Sequence, residues 1–186
     1  MKKFLLIPLV ALSLVLGGCN AAAVATRTQN IVAGVIAIAQ ADIPVLEQGG
    51  TISAADAPIV NAYLALGVSL DSQLAACNQN AISAGSKKAA FLGCFNAFSN
   101  GLLSPSELAQ LRVLSPKAQN QTIIWVTAIA LGVNVAFDAF GGTPIMTPVT
   151  VGTAPPPTTS DLELLAARIN CGCYVTAIEL PKDWRQ

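Results

Sequence analysis

The chain has 186 residues with ten basic and ten acidic side chains, no histidine, and 53% hydrophobic residues against 11% charged. Formal neutrality leaves no electrostatic footprint for nucleic acid, and without an imidazole there is no Ser-His-Asp or Cys-His catalytic arrangement and no histidine-based metal site. A sequence this rich in Ala, Val, Leu and Ile and this poor in charge suits close-packed helices with few solvated faces.

At the N-terminus, Lys2 and Lys3 precede an apolar run from Phe4 to Leu16 broken only by Pro8 and Ser13, and Leu16-Gly17-Gly18 sets small residues directly before Cys19. About 13 apolar residues can enter a bilayer but fall short of the ~20 that span one. Gly17 and Gly18 offer an uncrowded backbone to a processing enzyme. The segment resembles a bacterial lipoprotein signal peptide with its lipobox. That resemblance, confined to residues 1–20, implies that residues 1–18 are removed, that the Cys19 thiol receives a diacylglycerol and that the new amino terminus is acylated as well. The membrane is then a partner through the acyl chains: each buried methylene contributes ~0.8 kcal/mol, so two or three chains anchor a protein that one holds only marginally. Asn20 stands where an aspartate would resemble an inner-membrane retention signal, so the expected location is the outer membrane, facing the periplasm. The competing readings are a secretory signal cut within Asn20-Ala21-Ala22-Ala23, which discards Cys19, and a retained N-terminal anchor.

Removing residues 1–18 leaves 168 residues, with eight basic against ten acidic side chains. Residues 19–28 are expected to form the lipidated cysteine and a short tether, and residues 29–186 one helical domain. Helix-compatible sequence runs from Ala22 to about Leu46, is weak at Gly34 and Pro44, and stops at Gly49-Gly50. Between Ser53 and Asn78, Ile59, Tyr63, Leu66, Leu70, Leu74 and Cys77 recur at steps of three and four, which predicts an amphipathic helix whose buried stripe ends in Cys77. Phe91, Cys94, Phe95 and Phe98 repeat that spacing after Ser86-Lys87-Lys88, so both thiols are expected to face the core. Ser104-Pro105-Ser106-Glu107 combines a capping residue, a first-turn proline and a glutamate three residues on. Ser115-Pro116 repeats the start for a helix running to Phe140 and closed by Gly141-Gly142. Within it, Thr122 to Phe137 is uncharged and nearly apolar; it is short for a span and contains Asn134, so it is expected to be a central helix buried by its neighbours, with bilayer insertion as the alternative. Gly141 to Thr159 is rich in Pro and Thr and resists helix. It reads as a surface crossover, with a binding loop as the alternative. Ser160-Asp161-Leu162-Glu163 opens the last helix, which reaches at least Asn170. The fold class is therefore all-α: a disulfide cross-linked helical bundle of about five or six helices, with one long Pro/Thr-rich loop at 141–159.

After Cys19, four cysteines remain, Cys77, Cys94, Cys171 and Cys173, which reads as two disulfides with three connectivities. Cys171-Gly172-Cys173 lacks both the spacer of a thiolate metal pair and the C-x-x-C redox spacing. A Cys77–Cys94 bridge would staple a helical hairpin. Pairing at equal depth about the turn, however, sets Cys77 opposite a residue near 89, an offset of about five residues or ~7 Å of rise. The alternative sends both thiols to Cys171 and Cys173.

No G-x-S-x-G elbow, Walker-type phosphate loop or G-x-G-x-x-G is present. Asp56, Asp71, Glu107, Asp138, Asp161 and Glu163 fall mostly at helix starts or polar faces, which points to capping and solvation ahead of catalysis. The expectation is a non-enzymatic, membrane-tethered module, with no catalytic residue, metal or cofactor, that binds an envelope protein or assembles with itself. The second reading is a carrier of an apolar, lipid-like ligand between helices, walled by Phe91, Phe95, Phe98 and Trp125. The third is a small envelope enzyme using carboxylates or thiols.

Overall fold

Proline and glycine punctuate this chain where helices begin and end. In the computed structural model, which describes residues 21–145, 149, 151 and 156–170 (backbone alone for 166–170), the helices are α1 (Ala21–Gln48), α2 (Ala57–Ser83), α3 (Lys88–Leu102), α4 (Pro105–Gln110), α5 (Pro116–Phe140) and α6 (Thr159–Asn170), with a 3-10 turn at Leu111–Val113. Prolines stand in the first turns of α2, α4 and α5, where the missing N–H has no intrahelical partner to lose. Gly141 closes α5 with a φ of 81°, its N–H donating to the Phe137 carbonyl, a left-handed conformation that glycine adopts without a Cβ clash. Pro44 sits inside α1, on its exposed side, without ending the helix.

Four of these helices close into a ring. α1 packs against α2 and α5, and α3 packs against α2 and α5 on the other side. Short connections make successive neighbours antiparallel. One end of the bundle therefore gathers the start of α1, the α2–α3 turn and the end of α5, where Phe140 lies on Phe91 with ring centroids 5.7 Å apart. The opposite end gathers the end of α1 and the starts of α2 and α5, joined by hydrogen bonds from Ser115 to Asp56. α6 leans on α1 and α5.

α5 is the most deeply covered element, with Trp125, Ile129, Val133 and Phe137 each no more than 2% exposed. Its approach to α1 is close because position 132 is glycine: a Cβ there would stand 2.9 Å from Ile31 Cγ2. The reading of Thr122–Phe137 as a buried central helix agrees with this arrangement. α1 and α5 are both long and apolar enough to cross a membrane by length and composition, and each contributes a buried face to the bundle. The segment after Gly141 turns back along α5. Asn134 brackets Ile145, its Nδ2 donating to the Ile145 carbonyl at 3.0 Å and its Oδ1 accepting from the Ile145 N–H at 2.7 Å. Further along, Val149 N–H donates to Thr127 Oγ1, and Val149 and Val151 are buried. The crossover is thus a strap, and the two polar residues interrupting the apolar helix are its fastenings.

Three local expectations are corrected. The tether does not extend to residue 28: α1 begins at Ala21, and Ala25 and Thr28 are fully buried, because alanine at this density propagates helix and packs closely. Cys77 does not face the core. α2 buries Val60, Tyr63, Leu64, Gly67, Leu74, Asn78 and Ala81, a stripe rotated from the expected one, which leaves Cys77 exposed while Cys94 is 4% exposed. The last helix opens at Thr159, and its capping box is Thr158 with Asp161: Asp161 N–H donates to Thr158 Oγ1, and Thr158 N–H donates back to Asp161 Oδ2.

Cys77 and Cys94 form a disulfide with their Cα atoms 5.7 Å apart. The expected five-residue offset vanishes because α2 continues to Ser83 and α3 starts at Lys88, so each cysteine lies six residues from its own end of the turn. Cys19, Cys171 and Cys173 lie outside the described residues, as do residues 1–18 with the signal sequence. The bridge spans 17 residues, a loop whose closure contributes ~3 kcal/mol. A Cys77→Ser/Cys94→Ser variant should retain its helical circular dichroism and unfold in urea with a stability lower by ~2–3 kcal/mol.

Candidate functional site

The four aromatic residues expected to wall an apolar site are all buried. Phe91 and Phe98 are 2% exposed, Phe95 is fully buried and Trp125 is 1% exposed. Phe91 and Phe95 close on Phe140, at 5.7 and 6.3 Å between centroids, an arrangement in which aromatic rings stabilise one another's packing. All four belong to one continuous core cluster. None lines the open depression of about 450 Å³ at the opposite end of the bundle, whose walls are Glu47, Ile52, Ala54, Ala57, Pro58 and Asn61.

The densest polar cluster lies at that same end, and the sequence announces only half of it. Ser53 and Asp56 form a capping box ahead of Pro58: Ser53 N–H and Oγ donate to Asp56 Oδ2 at 3.1 and 2.6 Å, and Asp56 N–H donates to Ser53 Oγ. The second half is remote in sequence. Ser115 N–H donates to Asp56 Oδ1 at 2.8 Å and Ser115 Oγ donates to Oδ2 at 2.7 Å. Ser115, expected to cap α5, thus spends its hydroxyl on the carboxylate that starts α2. Burial alone raises the Asp56 pKa, but the hydrogen bonds from Ser53 and Ser115 outweigh it and lower the carboxyl to about 2. Its partners are hydroxyls and backbone N–H groups, which hold a carboxylate ionised and give it no basicity for catalysis; the cluster is a clamp between two helix starts.

Nearby polar groups serve the same kind of purpose. Tyr63 donates its hydroxyl to the Leu102 carbonyl at 2.9 Å, and burial, with the charge of Glu107 second, pushes its pKa upward. Ser104 caps α4 by accepting from Glu107 N–H. Asp71 is the contrasting carboxyl. It is half-buried on α2, its Oδ1 has no hydrogen-bond partner among the described residues, and burial raises its pKa to about 6. Among the described residues, no three His, Cys, Asp or Glu side chains converge on a metal position.

The other end of the bundle carries a different chemistry. It presents the first turn of α1, two residues after Cys19, and the α2–α3 turn with exposed Lys87 and Lys88. Lys88 Nζ donates to the Ala139 carbonyl in the last turn of α5 at 3.2 Å. Sequence reading singled out Cys19 and passed over the lysine pair, since nothing local in the sequence places residues 87–88 at the same end of the bundle as residue 21. No family model, no curated protein and no solved structure matches the chain.

Asp56 and Asp71 predict opposite pH effects. The folded pKa of Asp56 lies below its ordinary value, so the clamp's stabilisation is complete above about pH 4 and is lost as pH falls towards 2. Asp56→Asn, which turns one acceptor oxygen into a donor facing serine donors, should cost ~1–2 kcal/mol at pH 6, with the difference from wild type closing near pH 2. The folded pKa of Asp71 lies above its ordinary value, so its penalty is absent below about pH 4 and complete above about pH 6. Asp71→Asn should therefore stabilise the protein by ~1 kcal/mol at pH 8, after allowance for solvent screening, and be neutral at pH 4. Urea titrations at three pH values check both.

Proposed function

We propose that the protein is a lipid-anchored envelope lipoprotein, held to the outer membrane through acyl chains on Cys19, whose helical bundle acts without catalysis as a binding or structural module for another envelope component or a second copy of itself. The observation that carries this reading is the junction between signal and fold. The lipobox-like Leu16-Gly17-Gly18-Cys19 is followed after a single residue by α1, a wall of the bundle core. A cysteine at that position serves an anchor well. The non-catalytic half of the reading draws on how the carboxylates are used: Asp56 accepts from Ser53 and Ser115 where α2 and α5 start, Asp161 accepts from Thr158 at the start of α6, and Glu107 accepts from Gln110 on the surface. The carrier reading rests on the aromatic content of the sequence, and the burial of Phe91, Phe95, Phe98 and Trp125 among core side chains lends it no added support.

The test is metabolic labelling with an alkynyl fatty acid in a Gram-negative host, followed by membrane fractionation. The wild-type protein should carry the label and sediment with the outer membrane, and Cys19→Ser should be unlabelled and leave that fraction. A wild-type protein that is unlabelled and soluble would overturn the proposal.

A further inference from the structure

We infer that the end of the bundle formed by the start of α1, the α2–α3 turn and the end of α5 lies on the bilayer surface, with Lys87 and Lys88 against anionic phospholipid headgroups. The inference rests on the proposed acylation of Cys19 and adds to it an orientation and a lipid-contacting surface.

Covalent reach comes first. Cys19 precedes Ala21, the first residue of α1, by two positions, and two residues span at most ~7 Å even when fully extended. A domain tied at Cys19 cannot carry the start of α1 further than that from the acyl chains. The ring topology then sets what accompanies it. α2 ends and α3 starts at the level where α1 starts, and Lys88 reaches α5 at Ala139. α1 and α3 also touch each other across the ring. The lysine pair therefore meets the same headgroup layer that the anchor enters.

Charge is the second, independent observation. Lys87 occupies the N-cap of α3 and Lys88 its first position, with no acidic residue in the first turn. Cations at a helix N-terminus oppose the macrodipole. Lys88 recovers part of that through the α5 carbonyl, but exposed Lys87 has no such return among the described residues. A bilayer surface supplies one, since each basic residue beside an anionic leaflet strengthens association about fivefold. Apart from Asp71, midway along α2, the charges over α1 to α5 divide by end. Arg27, Lys87 and Lys88 stand against Asp138 at the anchored end, whereas Asp42, Glu47, Asp56 and Glu107 outnumber Arg112 and Lys117 at the other. The resulting moment turns the basic end towards an anionic leaflet.

The experiment uses the full-length protein purified from membranes. Its acylation is first read by intact mass, and it is then reconstituted into vesicles of phosphatidylcholine with or without about 30% phosphatidylglycerol, a share that gives the surface a substantial negative potential. An impermeant amine-reactive reagent is applied, and modification rates at Lys87, Lys88 and Lys117 are compared by peptide mass spectrometry. In the anionic vesicles, Lys87 and Lys88 should react at least about threefold more slowly than in phosphatidylcholine alone, and 0.5 M salt should relieve most of that protection; Lys117, at the far end, should react equally in both. An acylated protein whose Lys87 and Lys88 react as fast in anionic as in neutral vesicles would overturn the orientation and leave the anchor standing. A protein without acyl chains would overturn both.

Discussion

The need to bury most of α5 organises this protein, only the face through Ile124, Ala128, Leu131, Val135 and Asp138 being left partly open. A helix with fourteen buried positions in twenty-five residues cannot face water, and no single neighbour can cover it. α1 lies against one side, admitted to close range by Gly132; α3 lies against another through Phe91, Phe95 and Phe140; and the strap after Gly141 and α6 occupy what remains. The polar residues within α5 follow from the same demand. Thr127 and Asn134 satisfy the backbone of the strap, which would otherwise lay unpaired N–H and C=O groups on an apolar surface, at a cost of ~1–3 kcal/mol each. The Asp56 clamp fixes where α5 begins, and the left-handed Gly141 fixes where it ends.

Much of this was legible in the sequence, for identifiable reasons. Ser-Pro pairs and double glycines are local signals, and they located the starts of α4 and α5 and the end of α5. The all-round apolar character of Thr122–Phe137 pointed to a buried central helix, because such a segment is stabilised by packing its apolar faces against neighbouring helices. What failed was geometry that only packing determines. α2 is so evenly supplied with Ala, Val and Leu that several stripes satisfy a three-four spacing, and the one chosen was set by contact with α1 and α3, which rotated Cys77 outwards. A misplaced turn centre, set by how far α2 continues, was enough to make the Cys77–Cys94 pair look mismatched in depth. The capping of α6 moved to Thr158 because Thr158-x-x-Asp161 competes with the Ser160-x-x-Glu163 box two residues on. The Ser115 half of the Asp56 clamp bridges 59 residues and has no local signature.

The same topology relates fold to function. α1 is at once the first element after the lipobox-like segment and a wall of the core, so in the proposed reading the anchor is joined almost directly to a core helix. A domain anchored in that way would stand close to the bilayer and present its basic end to it, with the acidic end and its depression at Glu47, Ile52 and Asn61 directed away. The disulfide cross-links α2 and α3 six residues from either side of their turn, where it stiffens the hairpin that carries Lys87 and Lys88.

The central claim is that Cys19 begins the mature protein and carries its lipid. The most direct test is the intact mass of the protein isolated from its native membranes. The account predicts a mass for residues 19–186 increased by a diacylglycerol and an N-terminal acyl chain. A lipid-free mass beginning within residues 20–23, or that of the uncleaved chain, would contradict it.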